Sequence, residues 1–158
     1  MALRALFGDK ILTQDALAEI EKREKEIVEK DTDEAFADVD TIMLCFAAGN
    51  PALPGRKFTE NVLNPLYKKS EMLGNPNKTA VVFVSCDQDQ AAFDEYYGQM
   101  SFFALPYCAR DQKDALAKKY GVSGFGPNLV VLDNQGETKE DPSRGKGGFL
   151  LGLAQKYL

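Results

Sequence analysis

Three runs of mostly apolar residues are the strongest pattern along the chain. They cover Thr41–Ala47, Thr79–Ser85 and Asn128–Leu132. Short runs of this kind, without alternation of apolar and polar positions, are typical of strands that are buried on both faces. An amphipathic stretch joins the first two runs, which implies a right-handed crossover, so we expect those two strands to pair in parallel.

Segments with apolar residues at helical spacing lie between and after these strands. The first runs from Phe58 to Met72 and contains Pro65, which is expected to kink the helix. Three more helices are predicted at Asp89–Met100, Asp111–Tyr120 and Phe149–Leu158. The alternation of strands and helices predicts an α/β fold.

The residues before the first strong strand predict two further elements. Ala2–Phe7 and Lys10–Leu12 are expected to form a hairpin around a tight turn. Gln14–Lys30 contains helix formers throughout and carries opposite charges four residues apart, a spacing that favours a helix. This extra N-terminal helix either lies solvated on the sheet or docks a partner.

Length and composition indicate one ordered domain. The chain has 158 residues, of which 44% are hydrophobic and 27% are charged, as in ordinary globular proteins. We expect residues 1–158 to form a single domain, in which 1–40 supply the hairpin and the charged helix and 41–158 form the core. The net charge of −5 and the pI near 4.8 argue against nucleic acid binding, which needs clustered basic surface.

The chain lacks residues that several classes of protein need for their function. The chain contains no histidine, and its cysteines show no CxxC spacing, so neither a metal site nor a cofactor is expected. No window approaches the roughly 18 apolar residues of a membrane span. The amino terminus also lacks the apolar run of a signal peptide. We therefore expect a cytoplasmic protein without membrane insertion.

The three cysteines are predicted to be free thiols of a reducing compartment, since they are odd in number and far apart. Cys45 lies inside the first strong strand. Cys86, at the carboxyl end of the second, is either a reactive thiol for peroxide or glutathione chemistry or an inert small apolar residue. Cys108, with Arg110 nearby, is a candidate exposed thiol for regulation or modification.

The loop after the first strong strand is where an α/β domain usually houses its chemistry, because it joins the carboxyl end of a central strand to a helix. Between Ala47 and Lys57, however, there is no Cys, Ser, Thr, Asp, Glu or His. The loop therefore supplies neither a nucleophile nor a general base.

Two stretches carry a resemblance to a known family. They are Val81–Tyr107, VVFVSCDQDQAAFDEYYGQMSFFALPY, and Leu116–Asp133, LAKKYGVSGFGPNLVVLD. Both resemble the tryparedoxin and nucleoredoxin branch of the thioredoxin-like superfamily, and the resemblance covers about Thr41 to Asp133. It implies a thioredoxin-like fold with a central mixed sheet flanked by helices, to which the Gln14–Lys30 helix would be an addition.

The same resemblance aligns Pro51–Thr59, PALPGRKFT, with the Trp-Cys-Pro-Pro-Cys-Arg-Gly-Phe-Thr segment of active members. Ala52 and Gly55 then stand at the positions of the two redox cysteines. Four matching residues set this register, namely Pro54, Arg56, Phe58 and Thr59. Pro127 would be the family's cis-proline, and here an additional residue, Gly126, precedes it.

Dithiol exchange needs one thiolate of lowered pKa near a helix N-terminus and a second thiol that resolves the mixed disulfide. Ala52 and Gly55 provide neither. The resemblance therefore implies a redox-inactive domain that acts as a protein-binding or structural module, as a subunit of a larger assembly. The alternative is a thiol-disulfide oxidoreductase, or a peroxide- or glutathione-reactive protein, that uses the single thiol of Cys86. A third hypothesis is that the chain is a chaperone-like protein that holds peptides.

The expected partner is a protein. It would dock either on the Gln14–Lys30 helix or on a hydrophobic groove beside the cis-proline. The groove residues are Phe102, Phe103, Phe125, Gly126 and Pro127.

Overall fold

The computed structural model describes residues 2–14, 26–123, 126–140 and 149–158. The strands are β1 Lys10–Gln14, β2 Ile27–Asp31, β3 Thr41–Ala47, β4 Thr79–Ser85, β5 Phe103–Ala104 and β6 Asn128–Asp133. The helices are α1 Ala2–Phe7, α2 Thr32–Ala35, α3 Gly55–Phe58, α4 Asn64–Met72, α5 Gln90–Tyr97, α6 Arg110–Tyr120 and α7 Leu150–Tyr157, with a π-helical turn at Thr59–Leu63. The strands form one mixed sheet in the order β2-β1-β5-β4-β3-β6.

The middle of the sheet matches the strands expected from the apolar runs. β3 pairs in parallel with β4 and antiparallel with β6, and every residue of β3 and β4 is buried. The parallel pairing of the first two predicted strands is therefore confirmed, and the third ends one residue later than predicted, at Asp133. Because β6 runs against β3, its first residue Asn128 lies beside Phe46, near the carboxyl end of β3.

Side chains alternate between the two faces of the sheet, and each face packs on its own set of helices. On one face, Phe83 of β4 lies against Phe93 and Tyr96 of α5, and α4 and α7 belong to the same cluster. On the other face, the cluster includes Phe7 of α1 and Leu116 of α6. Helices thus cover both faces, as an α/β fold requires.

The helix after β3 begins at Gly55, three residues before Phe58, the first apolar residue of the predicted helical pattern. It continues through the π-helical turn into α4 and ends at Met72, as predicted. The π-helical turn ends two residues before Pro65, and the kink expected at Pro65 stays a prediction. The helices α5, α6 and α7 lie where the other three helices are predicted.

The first residues of the chain differ from the predicted hairpin. Ala2–Phe7 forms helix α1 and is not a hairpin arm. The predicted strand Lys10–Leu12 does form, as part of β1, but it pairs with β2 and β5.

The predicted helix Gln14–Lys30 is wrong at both ends. Gln14 closes β1 and Ile27 opens β2, while residues 15–25 lie outside the described part of the chain. The β-branched residues Ile27 and Val28 favour a strand. Pairing with β1 also outweighs charge pairs worth only about 0.2–0.5 kcal/mol each. An N-terminal helix is present, but it is α1.

Candidate functional site

Three loops meet at the carboxyl edge of β3 and β4. They are residues 48–54 after β3, residues 86–89 after β4, and the segment that leads through Pro127 into β6. An open cavity of about 430 Å³ lies at this edge. Its lining comprises Ala48, Gly49, Asn50, Pro51, Leu53, Arg56, Cys86, Asp87, Gln88, Asp89, Ala92 and Glu95. Such an edge is the usual place for a binding site in an α/β fold.

The loop after β3 is fixed by its own hydrogen bonds. The Asn50 side-chain oxygen accepts a hydrogen bond from the Ala52 N–H at 2.9 Å, and the Leu53 N–H donates to the Asn50 carbonyl at 2.9 Å. This turn leaves Ala52 exposed, whereas Gly55 is buried at the start of α3. A Cβ atom at Gly55 would lie 3.1 Å from the Cβ of Ala47. The position can therefore hold a small side chain if Ala47 shifts slightly.

Gly49 lies where the loop passes the aromatic ring of Tyr96. A Cβ atom on Gly49 would approach the Tyr96 Cγ to 2.6 Å, so no larger residue fits there without displacing the ring. The Tyr96 hydroxyl in turn contacts the Thr59 hydroxyl at 2.5 Å and donates to the Gly55 carbonyl at 3.2 Å. Tyr96 thus connects the loop, the start of α3 and the π-helical turn.

Asp87 joins the loops after β3 and β4. Its carboxylate accepts from the Gly49 N–H at 2.7 Å and from the Ser85 hydroxyl at 2.5 Å, and its backbone carbonyl accepts from the Tyr107 hydroxyl at 2.9 Å. Asp87 as a whole residue is 9% exposed. Because its two carboxylate oxygens accept hydrogen bonds from different parts of the chain, Asp87 acts as a brace for the cavity.

Arg56 is likewise committed to neighbouring groups. Its guanidinium binds both carboxylate oxygens of Glu95 at 2.8 and 3.0 Å, Glu60 at 2.9 Å and the Gly49 carbonyl at 3.0 Å. The hydrogen bond from Arg56 holds the pKa of Glu95 below its ordinary value. The arginine therefore ties α3 to α5 and to the loop through four hydrogen bonds.

Cys86 extends the β3–β4 ladder, because its N–H donates to the Ala47 carbonyl at 2.9 Å. Its half-buried side chain packs against the cluster on the α1 and α6 face and lines the edge cavity. Burial raises the pKa of the Cys86 thiol, and Lys113 acts in the opposite direction without overcoming it. A raised pKa keeps the thiol protonated at neutral pH, where only the thiolate is nucleophilic.

The other two cysteines lie elsewhere. Cys45 is fully buried in β3, and burial raises the pKa of its thiol well above the ordinary value. Cys108 is exposed and follows β5. All three cysteines are free thiols in the structure.

The peptide bond between Gly126 and Pro127 is cis. Gly126 has a φ of +77°, and a Cβ atom there would lie 2.0 Å from the Phe46 carbonyl oxygen. Pro127 directly precedes β6, so it lies at the same edge as the loop that carries Ala52 and Gly55.

The predicted hydrophobic groove does not form as a unit. Phe102 is fully buried and packs edge-on against Tyr67, and Phe103 faces Phe36 on the other side of the sheet. The strands β4 and β3 separate β5 from β6 and hence from Pro127. Phe125 lies outside the described residues. The aromatic run is used for core packing, since alternate residues of β5 point to the two buried faces.

The sequence profile of the family described as thioredoxin-like matches residues 38–138. The chain belongs to the thioredoxin-like family. The thioredoxin-like relatives that it matches include nucleoredoxin from Bos taurus, which is 37% identical over 84 residues, 53% of this chain and 18% of the relative. Tryparedoxin from Trypanosoma brucei brucei is 34% identical over 93 residues, 59% of this chain and 60% of the relative. The chain thus spans about a fifth of the length of the nucleoredoxins that it matches.

Solved thioredoxin-like structures have the same fold. Tryparedoxin II complexed with glutathionylspermidine superposes with a TM-score of 0.70 at 22% identity, covering 91% of this chain and 89% of that one. Tryparedoxin from Trypanosoma brucei gives a TM-score of 0.67 at 25% identity, covering 90% and 88%. The predicted thioredoxin-like fold, with a mixed sheet flanked by helices, is confirmed. Among the described residues, no helix has both the length and the apolar character needed to cross a bilayer.

Proposed function

We propose that this thioredoxin-like chain is a redox-inactive module that holds a segment of a partner protein at the carboxyl edge of its sheet, as a structural subunit of a larger assembly. The observation that carries the proposal is the pair Ala52 and Gly55. One is exposed in the loop and the other is buried at the start of α3, as an attacking and a resolving thiol would be. Neither residue has a sulfur atom, so we expect no dithiol exchange here.

The cysteines of the chain do not replace this pair. Cys86 lines the edge cavity, but its side chain belongs to the cluster on the α1 and α6 face, whereas Cys45 belongs to the cluster on the opposite face. A mixed disulfide formed at Cys86 would therefore be out of reach of the Cys45 thiol, and Cys108 is not part of the cavity lining. Turnover at Cys86 would then depend on an external thiol that attacks the mixed disulfide.

The cavity itself supports a binding role. Its apolar lining includes Ala48, Pro51, Leu53 and Ala92. The braces from Asp87 to Gly49 and from Arg56 to Glu95 hold this lining in place before any ligand arrives. A preformed cavity loses less conformational freedom on binding. An extended peptide segment that inserts one apolar side chain suits a cavity of about 430 Å³.

The edge is a better candidate for docking than the N-terminal segment, because the predicted Gln14–Lys30 helix is not formed at either end. We also propose a cytoplasmic location, since the three free thiols suit a reducing compartment.

A second candidate function uses Cys86 as a single reactive thiol. It is favoured by the position of Cys86 in the edge cavity and by the nearby charges of Lys113 and Arg110, which lower the pKa of the thiol. Burial, the larger influence, raises the pKa. The first function is therefore preferred.

An insulin reduction assay with a dithiol donor separates the two functions. The wild-type chain is expected to give the rate of the donor alone, and Cys86→Ser should change nothing. A rate above that of the donor that disappears in Cys86→Ser would establish the second function instead.

The binding role is tested by affinity purification of the intact chain with two matched variants. Ala92→Arg places a long charged side chain in the cavity, whereas Ala91→Arg places the same side chain on the exposed surface of α5, outside the cavity lining. We expect a stoichiometric partner to co-purify with the wild type and with Ala91→Arg but not with Ala92→Arg. Equal recovery with both variants would rule out the edge cavity as the docking site.

A further inference from the structure

The strand β2 is the outermost strand of the sheet within the described residues, and one of its sides has no strand partner there. Ile27 and Val28 are 46% and 47% exposed, and Glu26, Glu29 and Lys30 are exposed as well. An edge strand with unpaired backbone groups can pair with another strand unless its side chains prevent it.

The backbone hydrogen bonds determine which residues of β2 are available for pairing. Next to the β1–β2 ladder, the Thr32 N–H donates to the Asp9 carbonyl at 2.9 Å. The direction of backbone groups alternates along an antiparallel strand. Every second residue therefore has the orientation of Thr32, so Lys30 and Val28 direct their N–H and C=O groups toward β1. Ile27 and Glu29 therefore direct theirs outward, to the free side.

The sequence Glu26-Ile27-Val28-Glu29-Lys30 is complementary to itself in one antiparallel register. When two copies pair around a twofold axis at Val28, the two Val28 side chains meet. Ile27 then faces Glu29 of the second copy, and their outward backbone groups form the hydrogen-bonded pairs. Glu26 faces Lys30 of the second copy, and this pair of opposite charges occurs twice.

Symmetric registers centred on Glu29 or on Lys30 are less favourable. A twofold axis at Glu29 would bring two carboxylates directly opposite each other, and an axis at Lys30 would do so with two ammonium groups. Like charges directly opposite across strands are destabilising. In the register centred on Val28, Glu26 and Lys30 form non-hydrogen-bonded pairs, whose side chains lie closer together. Neither side chain forms an ion pair with any residue of the described ranges.

We propose that two copies of this chain form a symmetric dimer through antiparallel pairing of their β2 strands, centred on Val28. The dimer joins the two sheets into one and leaves the carboxyl edge of each copy open. The shared surface is one short strand per copy, well below the area of a permanent interface, so the association is weak and depends on protein concentration. Its ion pairs also make it sensitive to salt.

Sedimentation velocity of the full chain at low salt, from micromolar to millimolar concentration, tests the dimer and its register. The wild type should shift from monomer to dimer as its concentration rises. Lys30→Glu places Glu26 opposite a second carboxylate and should abolish the shift. The exchange of both charges, Glu26→Lys with Lys30→Glu, restores opposite charges and should restore the dimer. Lys118→Glu, on the exposed surface of α6, makes the same change in net charge and should still dimerise.

A wild type that remains monomeric up to millimolar concentration would overturn the proposal. A dimer that survives Lys30→Glu, or one that the double exchange fails to restore, would overturn the register. Far-ultraviolet circular dichroism of each variant checks that it is folded.

Crosslinking gives an independent measure of the same register. In a Cys108→Ser background, which removes the exposed native thiol, Val28→Cys puts two thiols opposite each other across the twofold axis. Their Cα atoms would be about 4.5 Å apart in a non-hydrogen-bonded pair, within the range of disulfides. Oxidised glutathione should convert this variant into a covalent dimer, with much less product from Glu29→Cys. Equal yields from the two variants would contradict pairing at Val28.

Discussion

The carbonyl oxygen of Phe46 lies 2.0 Å from the point that a Cβ atom of Gly126 would occupy. Gly126 also has a φ of +77°, in the left-handed region that favours glycine. The residue before Pro127 is therefore glycine for two physical reasons. It lets the chain pass against the end of β3 just before it enters β6.

The first prediction concerns this close approach. Gly126→Ala should lower the free energy of unfolding by more than about 3 kcal/mol, because the clash is with backbone and adds to the conformational cost. Gly74→Ala is the matched control, since Gly74 has a φ of +80° and nothing within 4 Å of its Cβ position. The control should lose only about 1–2 kcal/mol. Urea unfolding measures both, and equal losses would show that position 126 has more room than the structure gives it.

The sequence predicts the centre of this fold well and its first residues poorly. Thr41–Ala47 and Thr79–Ser85 could be recognised because strands buried on both faces leave an apolar run with no helical period. The helix predicted for Gln14–Lys30 was wrong because the charge spacing that suggested it is only a local signal. The pairing of Ile27 with Gln14 is a tertiary contact, which no short window contains.

The candidate site was predictable only in its location. The loop that contains Ala52 and Gly55 could be found from the strand before it and the helix after it. Its braces could not, since Arg56 and Glu95 are 39 residues apart in the chain. The run of Phe102 and Phe103 suggested an exposed rim, because an aromatic segment beside Pro106 looks irregular, yet Phe102, which directly precedes the two-residue strand β5, is fully buried in the core.

A second prediction uses the burial of the three thiols. Alkylation without reductant should label Cys108 first, Cys86 slowly and Cys45 only after unfolding, because the last is fully buried. Mass spectrometry of the unfolded chain should find three adducts in total. Fewer than three would reveal a disulfide or a modification that contradicts the free thiols of the structure.

A third prediction follows from the ion pair between Arg56 and Glu95. The hydrogen bond from Arg56 lowers the pKa of Glu95, so its stabilising effect is present above the ordinary glutamate pKa of about 4.3 and is lost as the pH falls through the lowered value. The side chain of Glu95 is 57% exposed, and solvent screening limits the effect to below about 1 kcal/mol.

An NMR titration of the Glu95 carboxyl group tests this pair directly. Its midpoint should lie below that of an ordinary glutamate and should return toward the ordinary value in Arg56→Gln. The difference in free energy of unfolding between the two proteins should also narrow as the pH is lowered below about 4. An unchanged midpoint in the variant would show that the pair does not form in solution.

The central claim is that the loop at Ala52 and Gly55 is a dithiol site without its thiols. Ala52→Cys together with Gly55→Cys restores a Cys-x-x-Cys pair beside the start of α3, where the helix N-terminus should lower the pKa of the exposed thiol at position 52. A Cβ atom at position 55 would lie 3.1 Å from the Cβ of Ala47, so Ala47 must shift slightly to make room for it. Ala52→Cys alone is the control, because it offers no second thiol in the loop.

Insulin reduction by the wild type, the single variant and the double variant, measured side by side with the same dithiol donor, is the most direct measurement. We expect no activity above the donor from the first two. The double variant should form an internal disulfide on mild oxidation and should show weak but measurable turnover. Insulin reduction by the wild type above the rate of the donor would contradict the claim. A double variant that unfolds like the wild type, but whose two new thiols stay unpaired and react no faster than a free cysteine, would also contradict it.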